Sequence, residues 1–289
     1  MATLRQLEYF VTVVDEGSFT RAAEKLHVSQ PGLSHQFLAL ERSVGGPLVE
    51  RVPRALRLTV IGRAMLPHAR AALAEAERAT SAARNAAGVA SGELHLATLY
   101  SLSVGLLPAV LRVWRRQHPN VRVRLVEFRH TDDLVAAMLA GRADLAVGPP
   151  PPEWEGAVHP IGTDEFVVVV AADDPQPDGP LDLRDLAGRE WVHFTPGSGL
   201  ADLLDQACAA AGFRPRVAVR TEQGPSAAQL AAAGLGPTLV PANILSPHFE
   251  ARVLRPDPPV GRPIVAYSRS AVDPVVAAFV DALMHSTYG

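Results

Sequence analysis

The spacing of apolar residues changes character at about residue 93 of this 289-residue chain. Before that point, apolar positions recur every three or four residues, as they do along amphipathic helices. Beyond it, short apolar runs typical of strands alternate with longer helical stretches, which is the pattern of an α/β domain. The chain is therefore expected to be multidomain, with a helical N-terminal part and an α/β C-terminal part.

Three short helices are predicted within the first 44 residues. Gly17 is expected to end the first, whose apolar stripe is Leu4, Leu7, Phe10, Val11 and Val14. Ser18 is expected to cap the second, whose inner face is Ala22, Ala23 and Leu26. After a tight turn at His27 and Val28, Ser29 caps the third, whose apolar positions are Leu33, Phe37, Leu40 and Val44.

The outer face of the third helix is polar. Pro31 falls in the first turn, where the missing N–H costs little because it has no partner within the helix. The exposed side is predicted to carry short hydrogen-bonding side chains: Ser29, Gln30, Ser34, His35 and Gln36. Such groups suit base edges and phosphates in the major groove of DNA.

A basic hairpin follows at residues 47–59, PLVERVPRALRLT. Two short strands are predicted, with Arg51, Arg54 and Arg57 near their tip. A hairpin of this kind beside a recognition helix adds phosphate contacts and is called a wing. A solvated surface hairpin is the alternative.

A long Ala-rich helix is predicted from Val60 to Gly88, with apolar residues on one face. A lone helix of this composition buries little, so it is expected to pair with a second copy of itself. Docking onto its own domain is the alternative. Residues 89–92 are expected to form a hinge.

These N-terminal features resemble one family, the LysR-type transcriptional regulators. The resemblance is carried by LRQLEYFVTVVDEGSFTRAAEKLHVSQPGLSHQ, PLVER and RLTVIG, whose order and spacing match the winged helix-turn-helix of that family. It implies that the long helix packs antiparallel in a dimer. His35 stands where the family often has Arg, and a neutral imidazole is a weaker phosphate partner than a guanidinium. The implied DNA-binding residues are Thr20, Arg21, Ser29, Gln30, Pro31, Ser34, His35, Gln36, Arg51, Arg54 and Arg57.

The C-terminal part is predicted to form two α/β lobes, approximately residues 93–162 with 265–289, and residues 163–264. Its βαβαβ order predicts a mostly parallel sheet covered on both faces. Two stretches lie at the carboxyl ends of strands and precede helices: TLYSLS (98–103) and TPGSG (195–199). Helix N-termini there suit an anion, although simple helix caps are the alternative.

The family resemblance implies an effector bound between these lobes, in a domain like the periplasmic binding proteins. The implied contacts are Thr98, Ser101, Ser103, Thr195, Gly197 and Ser198. Arg129, just past a predicted strand, is a candidate cationic partner or else a solvated surface arginine.

The distribution of charge and the residue composition indicate which part of the chain suits DNA and which kinds of chemistry are not expected. Through Gly88 the chain carries 11 Lys and Arg against 8 Asp and Glu, whereas the remainder has a net charge of −6. The N-terminal part is therefore the one suited to a polyanion. Cys208 is the one cysteine, and an inert buried thiol is expected. Neither a metal-ligand spacing nor a complete nucleophile motif is present, so no cofactor, no metal and no catalysis are expected.

The expected protein is a cytoplasmic transcriptional regulator that is not an enzyme. It consists of an all-α winged helix-turn-helix domain (1–59), a linker helix (60–88), a hinge (89–92) and a two-lobe effector domain (93–289). Its expected partners are a double-stranded DNA operator, an anionic small-molecule effector and itself, as a homodimer through the linker helix or a homotetramer, with no membrane. A periplasmic solute-binding protein would share the lobes, but it would need an export signal and would lack the helical pair.

Overall fold

The computed structural model describes residues 2–52, 55–86, 92–177, 179–269 and 273–286. Contacts divide the chain into two compact units, one formed mainly by the first 92 residues and the other by most of the remainder. Each unit is described by itself below.

Three helices of the first unit have local signals at their ends. They are α1 (Leu4–Glu16), α2 (Phe19–Lys25) and α3 (Gln30–Val44). The hydroxyls of Ser18 and Ser29 accept hydrogen bonds from backbone N–H groups of α2 and α3, as N-caps do. Gly17 ends α1 with a φ of 59°, a left-handed conformation that glycine adopts without strain. The predicted caps are therefore confirmed.

Phe37 of α3 is the centre of the first unit's core. Its ring lies edge-on to Phe10 of α1 at 6.1 Å and to Phe19 of α2 at 5.0 Å. Leu33 and Leu40 are buried on the same side of α3. Packing of these aromatic rings stabilises the contact among the three helices.

A hairpin and a long helix complete the first unit. Strands β1 (Val49–Val52) and β2 (Ala55–Leu58) pair antiparallel and lead into α4 (Val60–Ala86). Between them, the Thr59 hydroxyl donates to the Pro47 carbonyl at 2.6 Å and accepts from the N–H of Gly62 at 3.0 Å. A Cβ at Gly62 would collide with the Leu48 carbonyl, so only glycine lets α4 begin this close to the hairpin. The predicted end of the linker helix and most of the hinge lie outside the described residues.

The second unit contains nine strands and six helices within its described part. The strands are β3 (Gly92–Leu99), β4 (Val121–Phe128), β5 (Leu145–Gly148), β6 (Ala157–Val170), β7 (Glu190–Phe194), β8 (Arg216–Thr221), β9 (Thr238–Pro241), β10 (Arg252–Leu254) and β11 (Val260–Ser268). The helices are α5 (Tyr100–Gly105), α6 (Leu107–Gln117), α7 (Thr131–Leu139), α8 (Gly199–Ala210), α9 (Gly224–Ala232) and α10 (Pro274–Ser286).

The main sheet of this unit is mixed, which corrects the expectation of a mostly parallel sheet. Its order is β10-β6-β11-β5-β3-β4, with β9 also paired to β6. The neighbouring strands β3 and β5 are parallel, but β6 and β11 form a long antiparallel pair. The predicted lobe boundaries fall within these two strands, and the register of β11 shifts between Ile264 and Val265. The division into lobes at those residues stays a prediction. Strands β7 and β8 form a separate parallel pair.

One predicted helix is divided. The apolar period of SVGLLPAVLRVWRRQHP (103–119) predicts a single helix. In the structure, most of this stretch is divided between α5 and α6, which meet at Leu106, and α6 ends at Gln117. Pro108 lies in the first turn of α6, where its missing N–H and its steric effect on the preceding residue favour a new start.

Two further features are absent from the described residues. No helix there has both the length and the apolar character to span a membrane. Nor does any group of three or more His, Cys, Asp and Glu side chains there have an arrangement that would hold a metal ion.

Phe37→Ala should destabilise the first unit by about 3–5 kcal/mol, because it removes a buried ring from between three helices. Leu38→Ala is the matched control, since Leu38 is 50% exposed and its loss should change the unfolding free energy by less than about 0.5 kcal/mol. Urea unfolding followed by far-ultraviolet circular dichroism measures both changes. Tryptophan fluorescence would not report on the first unit, because all three tryptophans lie in the second. Equal midpoints for the two variants would contradict the assigned core.

Candidate nucleic-acid interface and ligand cleft

A tight left-handed turn joins α2 to α3. His27 has a φ of 53°, and the N–H groups of His27 and Val28 donate to the carbonyls of Glu24 and Ala23 at 3.1 and 3.0 Å. The chain therefore turns within a few residues and enters α3 at Ser29. This is the connection of a helix-turn-helix motif.

The outer face of α3 is polar and accessible. Ser29, Gln30, Pro31, His35 and Gln36 are exposed and Ser34 is half-buried. The Gln30 amide donates to the Ser34 hydroxyl at 3.0 Å, and the Gln36 amide oxygen accepts from Gln6 of α1 at 3.3 Å. These hydrogen bonds lie at the surface, so DNA groups can replace them at little cost. The face can present amide and hydroxyl groups to base edges.

Thr20 and Arg21 are exposed at the start of α2. The Arg21 guanidinium contacts the Glu16 carbonyl, and the Lys25 ammonium donates to the Glu16 carboxylate at 2.6 Å. That hydrogen bond lowers the pKa of Glu16 and raises the pKa of Lys25. Two cations thus lie near the beginning of the helix-turn-helix motif.

The hairpin contributes Arg57, which is exposed on β2. Arg54 and the side chain of Arg51 lie outside the described part of the structure. Of the three hairpin arginines, Arg57 is thus the one whose side-chain exposure can be described.

A small cleft in the second unit lies among the ends of its strands and the starts of α5 and α8. Its volume is about 20 Å³, room for roughly one water molecule. It is bordered by Leu99, Tyr100, Ser101, Phe128, Arg129, Ser198, Leu200, Glu222 and Arg262.

The structure brings together three of the predicted effector residues, Ser101, Arg129 and Ser198, at this cleft. The other four do not border it: Thr98, Ser103, Thr195 and Gly197. The Thr98 hydroxyl is buried and donates to the Val147 carbonyl at 2.9 Å. The Ser103 hydroxyl contacts the Tyr100 carbonyl and the Glu127 carboxylate.

Contacts within the protein close the cleft. Arg129 forms a two-point ion pair with Glu222, with N···O distances of 2.7 and 3.1 Å. The Arg129 carbonyl accepts from the N–H of Gly199 at 3.2 Å. His130 Nε2 lies 3.2 Å from the Asp202 carboxylate. The first N–H groups of α8, expected to face a ligand, are therefore occupied by the Arg129 carbonyl and the Ser198 hydroxyl.

A buried ion pair at the cleft was not predicted from the sequence. Arg262 on β11 pairs with Asp164 on β6 at 2.9 Å and donates to the Ser101 hydroxyl at 2.7 Å. Burial raises the pKa of Asp164, while the Arg262 guanidinium and the Asn243 amide oppose that rise. The available signal was one arginine in an otherwise apolar strand, RPIVAYS, and it does not indicate the partner.

Cys208 lies on α8 in the core of the second unit. Burial, with a smaller effect of the Asp205 charge, raises the pKa of its thiol to about 12. The side chain is therefore a thiol and not a thiolate at neutral pH.

Together, the helix-turn-helix with its hairpin and the two-lobe α/β unit with a polar cleft define a DNA-binding regulator with a substrate-binding domain. Residues 4–63 match the family described as bacterial regulatory helix-turn-helix protein, lysR family. Residues 87–287 match the LysR substrate binding domain. The chain belongs to the LysR family of transcriptional regulators.

Individual relatives agree along nearly the whole chain. It is 33% identical over 246 residues to the regulator IlvR of Caulobacter vibrioides, covering 83% of each chain. It is 30% identical over 293 residues to TcbR of a Pseudomonas species, covering 98% of each. The structure of full-length CbnR complexed with its target DNA is similar at 29% identity and a TM-score of 0.70, covering 99% of this chain and 100% of that one.

Cys208 should resist thiol reagents at pH 8, because both burial and a pKa about four units above that pH suppress the reactive thiolate. A disulfide-exchange assay with a chromogenic aromatic disulfide should detect about one thiol only after the chain is unfolded in guanidinium. Complete reaction of the folded protein within minutes would contradict the buried position.

Proposed function

We propose that this regulator reads its operator through the outer face of α3 and grips the adjacent phosphates through the hairpin. The observation that carries this proposal is the division of α3 into two faces, with Leu33, Phe37 and Leu40 buried on one and amides and hydroxyls exposed on the other. The predicted base contacts are Ser29, Gln30, Ser34, His35 and Gln36. Thr20, Arg21 and the three hairpin arginines supply phosphate contacts.

The regulator is proposed to respond to an anionic small molecule in the cleft of the second unit. Ser101, Arg129 and Ser198 border that cleft, and a carboxylate is a good partner for a guanidinium. Because the cleft holds only about one water, a ligand requires it to open, which breaks the Arg129–Glu222 pair. A ligand changes the state of the protein only by binding one arrangement more tightly than another.

Assembly is proposed to follow the linker helix α4, which pairs antiparallel with that of a second copy. A two-fold dimer, or a tetramer built from two dimers, places recognition helices on one side of the duplex. Their half-sites are then separated by about one helical turn, ~34 Å, or a multiple of it. The proposal places this assembly in the cytoplasm and assigns it no catalytic step, in keeping with relatives that are named as transcriptional regulators.

Selection of fragmented genomic DNA by the full-length protein tests the function. The expected result is enrichment of a short motif with two-fold symmetry and half-sites at the spacing given above. Recovery of fragments without a shared motif would contradict sequence-specific regulation.

Arg57→Ala should weaken binding to every duplex. It should also lower the slope of log K against log salt by about one for each bound subunit, or about two for a dimer, because each subunit loses one phosphate contact. Arg115→Ala is the matched control, since Arg115 is an exposed arginine on α6 of the second unit. Fluorescence anisotropy over a salt series measures both slopes. An unchanged slope for Arg57→Ala would remove the hairpin from the interface.

A further inference from the structure

Arg262 and Asp164 form a buried cross-strand ion pair at the cleft. They lie directly opposite each other on β11 and β6, and their side chains are 10% and 1% exposed. Arg262 Nε and Nη2 donate to one Asp164 oxygen at 3.1 and 2.9 Å, while the Asn243 amide donates to the other at 3.0 Å. The pair is thus held in one geometry.

The same arginine sets the orientation of Ser101. Arg262 Nη2 donates to the Ser101 hydroxyl oxygen at 2.7 Å, so that oxygen acts as an acceptor. A hydroxyl also has one hydrogen to donate. Within the described residues, the Ser101 O–H makes no donor contact, and Ser101 is 7% exposed.

The Arg262 guanidinium also has hydrogen-bond donors that these contacts do not use. Its contacts to Asp164 and Ser101 use Nε and Nη2, and among the described residues Nη1 makes no hydrogen bond. Arginine carries five N–H donors, of which two belong to Nη1. Nη1 is not one of the fully buried polar atoms that lack a partner, so it keeps some solvent exposure. Since Arg262 and Ser101 both border the cleft, an acceptor placed there can reach these free donors.

We propose that Arg262 binds the effector directly: Arg262 Nη1 and the Ser101 hydroxyl donate to the two oxygens of one carboxylate of a small organic acid. This inference rests on the proposed function of the cleft and adds a residue to it. A carboxylate fits better than a neutral carbonyl because it accepts two charge-assisted hydrogen bonds. It also competes with Glu222 for Arg129, and that ion pair is half-exposed and separates at low cost.

The test must separate ligand binding from folding. Removing Arg262 alone would leave the Asp164 carboxylate buried without its cationic partner and would destabilise the chain. The double variant Arg262→Met with Asp164→Leu instead replaces the pair by apolar side chains of similar size. Ser101→Ala removes the second donor alone. The matched control is Arg255→Met with Glu165→Leu, which removes an ion pair of 3.0 Å. Glu165 is next to Asp164 on β6, but the side chains of Arg255 and Glu165 are 75% and 65% exposed.

The unaltered full-length protein and its variants are titrated with sodium acetate, succinate and benzoate, and sodium chloride at matched ionic strength is the control. Thermal shift measures the change in Tm, and calorimetric titration measures the Kd of each acid. At least one acid should raise the Tm of the unaltered protein above the chloride control. Its Kd should rise by about tenfold or more in both cleft variants, since each loses a charge-assisted or buried hydrogen bond. The control variant should bind as the unaltered protein does.

Two results would overturn the assignment. An unchanged Kd in both cleft variants would make the ion pair a brace between strands only, and the absence of any acid-dependent Tm rise in the unaltered protein would reject the carboxylate. Operator binding by the same proteins, measured without acid, tests the proposed function separately. Normal DNA binding together with either negative result therefore removes Arg262 from the cleft's ligand contacts and leaves the regulator intact.

Discussion

The packing of Phe37 against Phe10 and Phe19 is the interaction on which the proposed DNA-reading surface depends. It commits one side of α3 to the core, and because a helix has a fixed period, the opposite side must then face solvent. Gln30, Ser34 and Gln36 are presented on that side by the same constraint. The Ser29 cap and the turn at His27 set where α3 begins, so apolar packing and local backbone geometry together determine which polar groups α3 exposes.

In the second unit, antiparallel pairing of β6 with β11 determines which polar side chains meet at the cleft. It brings Asp164 and Arg262 opposite each other, although 98 positions separate them along the chain. Their buried charges are balanced by one another and by Asn243 and Ser101, as a buried pair requires. The pair Arg129 and Glu222 is exposed and contributes little to stability. The cleft therefore combines a rigid polar floor with contacts that separate easily, which is suited to a site that must open.

Sequence reasoning predicted the parts of this structure that depend on local signals. Periodic apolar residues, the serine caps and Gly17 located α1, α2 and α3, and the alternation of strand and helix patterns indicated the two-lobe α/β unit. What it missed depends on distant residues or on a single backbone atom. Pro108 divides a run whose apolar period is continuous. The three-residue β10 is too short to show a period. The direction of a strand cannot be read from the alternation of apolar and polar residues along it. The Arg262 pair was missed because neither residue indicates its partner.

The central claim is that the outer face of α3 distinguishes one DNA sequence from another. The most direct measurement is the ratio of Kd values for a selected operator and a scrambled duplex, compared between the unaltered protein and a variant with Gln30→Ala, Ser34→Ala and Gln36→Ala. The core beneath α3 is untouched by these changes. The ratio should fall by about tenfold or more, while affinity for the scrambled duplex changes little. A ratio equal to that of the unaltered protein would show that sequence is read elsewhere.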